Sequence, residues 1–244
     1  MNNKNSQQKF VLVFQEQIVQ LMEQFFNTSF KKDIDGLMQG VKHPAHPLNS
    51  RMKQLINANE QCSPIGIDIP VLIPSETEPN ATVILLGQDP LRRCKDIDKA
   101  KVFNHAFIGT PYSVHHTNGL PTATRVYLKL IERLLAGGCN VYLTDVRKYY
   151  PASKIITQAD MDLLIKELNC FGGKRILILS GRQAQEFYEN NKNRLNGVHH
   201  GIPLPHLSGF GPSGEWKELA GAATHEAKIE YVMKKINEMR NENE

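Results

Sequence analysis

Four short apolar runs alternate with helical periodicity along the last two thirds of this chain, and that alternation sets its fold class. The runs are 82–86 (Thr-Val-Ile-Leu-Leu), 140–144 (Asn-Val-Tyr-Leu-Thr), 175–179 (Arg-Ile-Leu-Ile-Leu) and about 198–205. Continuous branched-aliphatic runs bounded by turn residues read as strands buried on both faces, as in a parallel sheet. Helical stretches fall between them at about 121–136, 158–170 and 182–190, and another closes the chain at about 223–240. Pro121 suits a first helical turn, and Gly137-Gly138 and Gly172-Gly173 suit helix ends. The expected fold is therefore α/β: a single three-layer α/β/α domain around a central, mostly parallel four-stranded sheet.

The first 80 residues read as a helical extension packed on that domain. Residues 10–27 carry apolar positions at helical spacing and predict an amphipathic helix. Thr28 to Asn49 reads as loop, with Gly36, Gly40, Pro44 and Pro47; a short helix is expected around Arg51 to Asn59. Ile69 to Pro74 suits an edge strand or an extended connection, because Pro70 cannot donate to a central ladder.

Composition narrows the function classes. The apolar stretch Phe10 to Phe14 is too short for a signal-peptide core or a membrane span, so a cytoplasmic protein is expected. The net charge of +4, from 29 basic and 25 acidic residues, permits a nucleic-acid partner without demanding one. Two basic groups, Arg92 to Lys101 and Arg147, Lys148 and Lys154 around Tyr149-Tyr150, read on charge alone as solvated surface. The cysteines at 62, 94, 139 and 170 form no CxxC pair and suggest dispersed, reduced thiols. Adjacent histidines (His115-His116, His199-His200) point to opposite faces of an extended chain, and no zinc spacing occurs; no metal or cofactor is expected.

The chemistry-bearing elements lie at strand ends. Strand 82–86 runs into Gly87-Gln88-Asp89-Pro90, which places the Asp89 carboxylate where open α/β sheets bind ligands. Ile202 to Pro205 leads similarly into His206-Leu207-Ser208-Gly209-Phe210. Each turn has a purely structural reading by itself, since Asp-Pro is a common turn former.

Taken together, six segments in order resemble the uracil-DNA glycosylase superfamily, most closely its branch with a Gly-Gln-Asp-Pro loop. Gly87-Gln88-Asp89-Pro90 resembles the water-activating loop. Tyr112-Ser113-Val114 resembles the segment whose ring stacks on an extruded base, and Leu120-Pro121-Thr122 a loop that grips DNA phosphates. Val141 to Val146 matches the strand that ends in a base-reading amide, and Ile176 to Gly181 the next strand and turn. Pro205 to Phe210 resembles the family's His-Pro-Ser-Pro-Leu loop. The likeness covers about residues 80–220.

That resemblance implies a DNA glycosylase of base excision repair, acting on DNA that carries a deaminated base, as a monomer. A base inside a duplex must be flipped out before it can be cut. Asp89 is then expected to stabilise an oxocarbenium-like sugar and activate water, and His206 to stabilise charge on the leaving base. Gly87, Gln88, Tyr112, Thr144 and Asp145 would line the base pocket. Thr122, Ser180, Gly181 and Ser208 would meet phosphates, and Phe210 would wedge into the vacated stack. Simpler readings stand beside these: Tyr112 as pocket wall, Thr122 as helix cap, Phe210 as loop packing.

Departures from the pattern bear on the substrate. Leu91 stands where that branch has a tyrosine that blocks the thymine methyl. The base-reading asparagine aligns with Thr144, or with Asp145 if the register slips by one. A carboxylate accepts but does not donate, so it favours a base edge that presents N–H groups, amino-bearing or xanthine-like. Leu207 and Gly209 replace two prolines, predicting a looser turn. A non-catalytic or retargeted nucleic-acid or nucleotide-binding protein on the same fold is the alternative.

Overall fold

The structure is a computed structural model that describes residues 10–55, 65–90, 105–115, 122–150, 155–197, 199–208 and 213–241. Its elements are α1 (Glu16–Phe26), α2 (Lys31–Met38), β1 (Ala45–Pro47), α3 (Ser50–Leu55), β2 (Ile65–Asp68), β3 (Val71–Ile73), β4 (Ala81–Gly87) and β5 (His105–Gly109). After them come α4 (Thr122–Ala136), β6 (Cys139–Asp145), β7 (Tyr149–Tyr150), α5 (Gln158–Leu168), β8 (Arg175–Ser180), α6 (Arg182–Asn191), β9 (His199–Leu204), α7 (Ser213–Ala220) and α8 (His225–Asn241).

The central sheet has the order β3-β6-β4-β8-β9. The four strands expected from the apolar runs are mutually parallel. A fifth, β3, pairs antiparallel with β6 at the edge, which is the position that Pro70 and Pro74 tolerate.

Each strand divides its side chains between two cores, because neighbours on a strand point to opposite faces. Val83, Leu85, Val141, Leu143, Ile176 and Ile178 pack with Val126, Leu130 and Ile131 of α4, Trp216 of α7 and Val232 of α8. Ile84, Leu86, Tyr142, Leu177 and Leu179 pack on the other face with Leu164 and Leu168 of α5 and Phe187 of α6. Helices on both faces of a mixed sheet make this an α/β fold.

The N-terminal third departs from its reading. Residues 10–27 are not one helix. Phe10 and Leu12 are buried, Val11 is exposed, and Val13 bridges Leu72 of β3 in antiparallel fashion. The Phe-Val-Leu-Val-Phe run thus alternates with period two and extends the sheet, and α1 starts only at Glu16. In α1, Ile18, Met22 and Phe26 form a buried stripe at i, i+4, i+8. The stretch read as loop contains α2 and β1. The connection between β4 and α4 contains β5, which joins β1, β2 and β7 in a second four-stranded sheet. Met22, Phe26, Phe30, Leu37 and Met52 cover that sheet through Ile65, Ile67 and Ile108.

Candidate active site

The C-terminal ends of β4 and β6 are in register, Gly87 opposite Asp145. Their loops continue as a short zipper: Val146 N–H donates to Gly87 O and Arg147 N–H to Gln88 O, both at 3.0 Å. Gly87 is buried, and a Cβ there would stand 2.2 Å from Asp145 Oδ1 and 3.0 Å from the Tyr112 hydroxyl oxygen. Close approach by two polar groups is thus what demands glycine at this position. Gly87→Ala is expected to displace the Asp145 carboxylate or to cost about 1–3 kcal/mol of overpacking, read as a lower urea midpoint. An unchanged midpoint with an unmoved Asp145 would refute the close contact.

Strand alternation decides between the two residues aligned with the base-reading position. Thr144 is fully buried on the α5 face, where its hydroxyl donates to Glu167 Oε1 at 2.5 Å. Asp145 points the other way, to Gly87 and Tyr112. Thr144, expected to line the base pocket, therefore faces the opposite core.

Tyr112 sits in a single 3-10 turn, Pro111–Ser113, with φ at +56°; Ser113 follows at +53°. Two consecutive non-glycine residues in the left-handed region store strain of about 1–3 kcal/mol each. The conformation lays the Tyr112 ring on Tyr127 of α4, centroids 4.1 Å apart and planes within 22°. The Tyr112 hydroxyl is buried, with no hydrogen-bond partner among the described residues. Burial, then Tyr127 and Asp145, hold its pKa well above the usual phenol range.

Tyr127, not singled out from sequence, ties this group to the next. Its hydroxyl bonds the Ser180 hydroxyl at 2.9 Å, and burial pushes its pKa up to about 12. Its ring meets that of His206 edge-on at 6.1 Å. His206 follows β9 and lies beside Gly181: a Cβ on Gly181 would stand 3.7 Å from its Cδ2. Ser208 Oγ is 3.1 Å from His206 Nδ1. Burial first, then Lys228, lower the His206 pKa, so the ring is neutral at physiological pH. Ser180 is expected at a phosphate, but it is 2% exposed and its hydroxyl is turned inward to Tyr127. The Gly181 N–H likewise donates to Leu204 O.

The Asp89 side chain is 11% exposed. The exposed Gln88 donates to it through Nε2 at 3.0 Å, and Arg147 Nη1 lies at 3.9 Å. Burial raises the Asp89 pKa, opposed by Gln88 and then Arg147. Arg147 and Lys148 are not solvated surface: they are 1% and 2% exposed. Arg147 is held between Asp89 and Asp160, whose Oδ2 is 3.7 Å from its Nε, and it donates to Ile155 O. Lys148 pairs with Glu167 at 2.9 Å. Nothing local in the sequence marks these cations as buried, because their partners on α5 lie more than ten residues further along the chain.

The site residues thus fall into two touching groups. Gly87, Tyr112 and Asp145 form one; Tyr127, Ser180, Gly181, His206 and Ser208 form the other, and the Tyr112–Tyr127 stack joins them. Asp89 extends the first group toward Arg147. Thr122 opens α4; its side chain, like Leu91, Leu120, Pro121, Lys154, Gly209, Phe210 and the basic run 92–101, lies outside the described residues. An open groove of about 620 Å³ lined by Arg133, Gly137, Met233 and Asn237 lies at the other end of the sheet and shares no residue with this cluster.

The family model of the uracil DNA glycosylase superfamily matches residues 74–225, which span β4 to the start of α8 and hold every residue of the cluster. The chain belongs to the uracil DNA glycosylase superfamily. No curated protein is similar enough to the chain to match it. Membership of this superfamily brings a glycosylase-type fold whose members act on DNA. Among the described residues no helix is long and apolar enough to cross a membrane.

Proposed function

We propose that this superfamily member is a monofunctional DNA glycosylase that hydrolyses the N-glycosidic bond of a flipped, deaminated base. The observation that carries this reading is the meeting of Asp145, Tyr112 and Gly87 at the strand ends, joined through the Tyr112–Tyr127 stack to His206.

In the proposed reaction the C1′–N bond breaks with its electron pair leaving on the base. Asp89 takes a proton from the water that adds to C1′, and the charge on the sugar is stabilised by the same carboxylate. With Ser208 O–H donating to His206 Nδ1, the ring proton sits on Nε2, from which it donates to the anionic base oxygen. The Tyr112 ring offers its second face to the base, since Tyr127 covers the first; stacking of this kind is worth about 1–3 kcal/mol.

Base choice follows from the pair at Gly87. The Asp145 carboxylate accepts an N–H from the base, and the unpartnered Tyr112 hydroxyl can donate to an adjacent carbonyl. Such a pair suits a lactam edge, the adjacent N–H and C=O that uracil, hypoxanthine and xanthine share. Abasic-site formation on single- and double-stranded oligonucleotides bearing each of these bases, with cytosine as control, tests this. Excision of at least one deaminated base is expected. Asp145→Asn should shift the ratio between the lactam bases and cytosine by about tenfold or more, because the amide regains a donor. No release of any base at high enzyme concentration would leave the non-catalytic binding protein as the correct reading.

A further inference from the structure

We propose that Lys228 is a positioning residue for His206: from α8 its ammonium holds the Leu207 carbonyl and, with it, the turn that carries the imidazole. The inference rests on the catalytic reading of His206.

The turn His206-Leu207-Ser208 contains no proline, and from sequence it reads as loose. The structure supplies two anchors instead. Lys228 Nζ donates to Leu207 O at 2.8 Å, and Trp216 Nε1 of α7 reaches His206 O at 3.4 Å. Leu207 itself is fully buried beneath the turn. Consecutive carbonyls of the turn are thus held from two helices, which fixes the backbone from which the imidazole projects.

Lys228 is an unusual choice for a purely structural anchor. It is 4% exposed, and among the described residues no carboxylate lies in ion-pair range of it. Its nearest electron-rich surface is the Trp216 ring, with Nζ 5.3 Å from the centroid, a cation–π arrangement that partly offsets desolvation. Burying a cation this way is costly, and its own pKa is lowered by burial. An apolar residue would pack α8 more cheaply. What the ammonium adds is a fixed donor for the turn and a positive potential behind the imidazole.

The surroundings of His206 contain little to oppose that potential. Tyr127 of α4 presents its ring edge-on, Ser208 bonds Nδ1, Gly181 of the β8–α6 turn lies against Cδ2, and Trp216 of α7 lies below. Asp145 stands beyond the Tyr112–Tyr127 pair and acts on those phenols. Among the described residues Lys228 is the charged group that acts on His206, and it disfavours the imidazolium. One side chain therefore both anchors the turn that carries the ring and adds to the burial that favours its neutral form, the form able to donate from Nε2 while accepting at Nδ1.

The test is an NMR titration of His206 in the full-length protein, with Lys228→Met and Lys228→Arg beside the wild type, and a pH–rate profile of base excision for each. In Lys228→Met the His206 pKa is expected to rise and the acid limb of the profile to move to higher pH, each unit lowering the rate on that limb tenfold. Lys228→Arg keeps charge and donor and should restore both. A folded Lys228→Met protein whose His206 titrates as in the wild type, with the acid limb unmoved, would overturn the proposal whatever its rate on the plateau. Should Lys228→Met fail to fold, Lys228→Gln retains the donor without the charge and faces the same two readouts. The titration needs no turnover, so absence of excision in the wild type overturns the proposed function without deciding the coupling.

Discussion

Asp89→Asn is expected to abolish abasic-site formation without weakening the fold. The substitution keeps the side chain's shape and removes the group that accepts the water proton; a positioned general base contributes typically about 10²–10⁴-fold. Single-turnover excision on the best substrate of the base panel should fall by that factor, while binding of the same oligonucleotide, read by anisotropy, stays within a few fold. The stability arm has a definite sign. Burial raises the Asp89 pKa, so the folded state holds the proton more tightly than the unfolded chain. The ionised carboxylate therefore costs stability above its folded pKa, and that cost is relieved as pH falls toward the ordinary carboxylate value. A neutral amide removes the penalty, so the urea midpoint at pH 7 should hold or rise. A residue retained at a cost to folding is the signature of a functional group. Wild-type excision by Asp89→Asn, or a sharply lower midpoint, would remove Asp89 from the reaction and leave it the structural turn former its Asp-Pro sequence permits.

The central sheet was legible because its signal is local: four branched-aliphatic runs, each ended by a glycine or a polar turn residue, need no knowledge of distant partners. Asp89 and His206 stood out as candidates for the same reason, as polar residues just beyond such runs. Where sequence reading erred, two periods competed or a partner was remote. Phe10 to Phe14 fits a helical stripe if joined to Ile18 and Met22, yet its own alternation, Phe10 and Leu12 in and Val11 out, is that of a strand. The choice between Thr144 and Asp145 turns on a one-residue register, and only the pairing of Gly87 with Asp145 resolves which face each side chain takes. Arg147 and Lys148 look like solvated charge because lysine and arginine usually are. Their burial depends on Asp160 and Glu167, which arrive from α5. Tyr127 and Lys228 carry no motif; they matter because α4 and α8 pack on the face of the sheet where Asp145 and His206 emerge.

The buried pair behind Asp145 should give the largest stability effect in the molecule. Lys148 and Glu167 are 2% and 1% exposed and pair at 2.9 Å. Glu167 also accepts from the Tyr142 and Thr144 hydroxyls, and Lys148 donates to Thr144 Oγ1 and to the Asp145 carbonyl. Removing one partner strands a charge in a low dielectric, which costs about 3–5 kcal/mol, whereas neutralising both is far milder. Lys148→Met is thus expected to lose most of that amount in equilibrium urea unfolding, and Lys148→Met/Glu167→Gln to recover much of it, since the glutamine carbonyl still accepts from Tyr142 and Thr144. The coupling has a functional consequence because the Lys148 ammonium also grips the Asp145 carbonyl. Even in the restabilised double variant that grip is gone, so the Asp145 carboxylate loses its fixed approach to Gly87. Discrimination between the lactam bases and cytosine should then relax while Asp89-dependent cleavage persists. A double variant as unstable as the single would show that the cluster acts through packing and not through charge, and unchanged base discrimination would show that the Asp145 carboxylate is placed independently of the Lys148 grip.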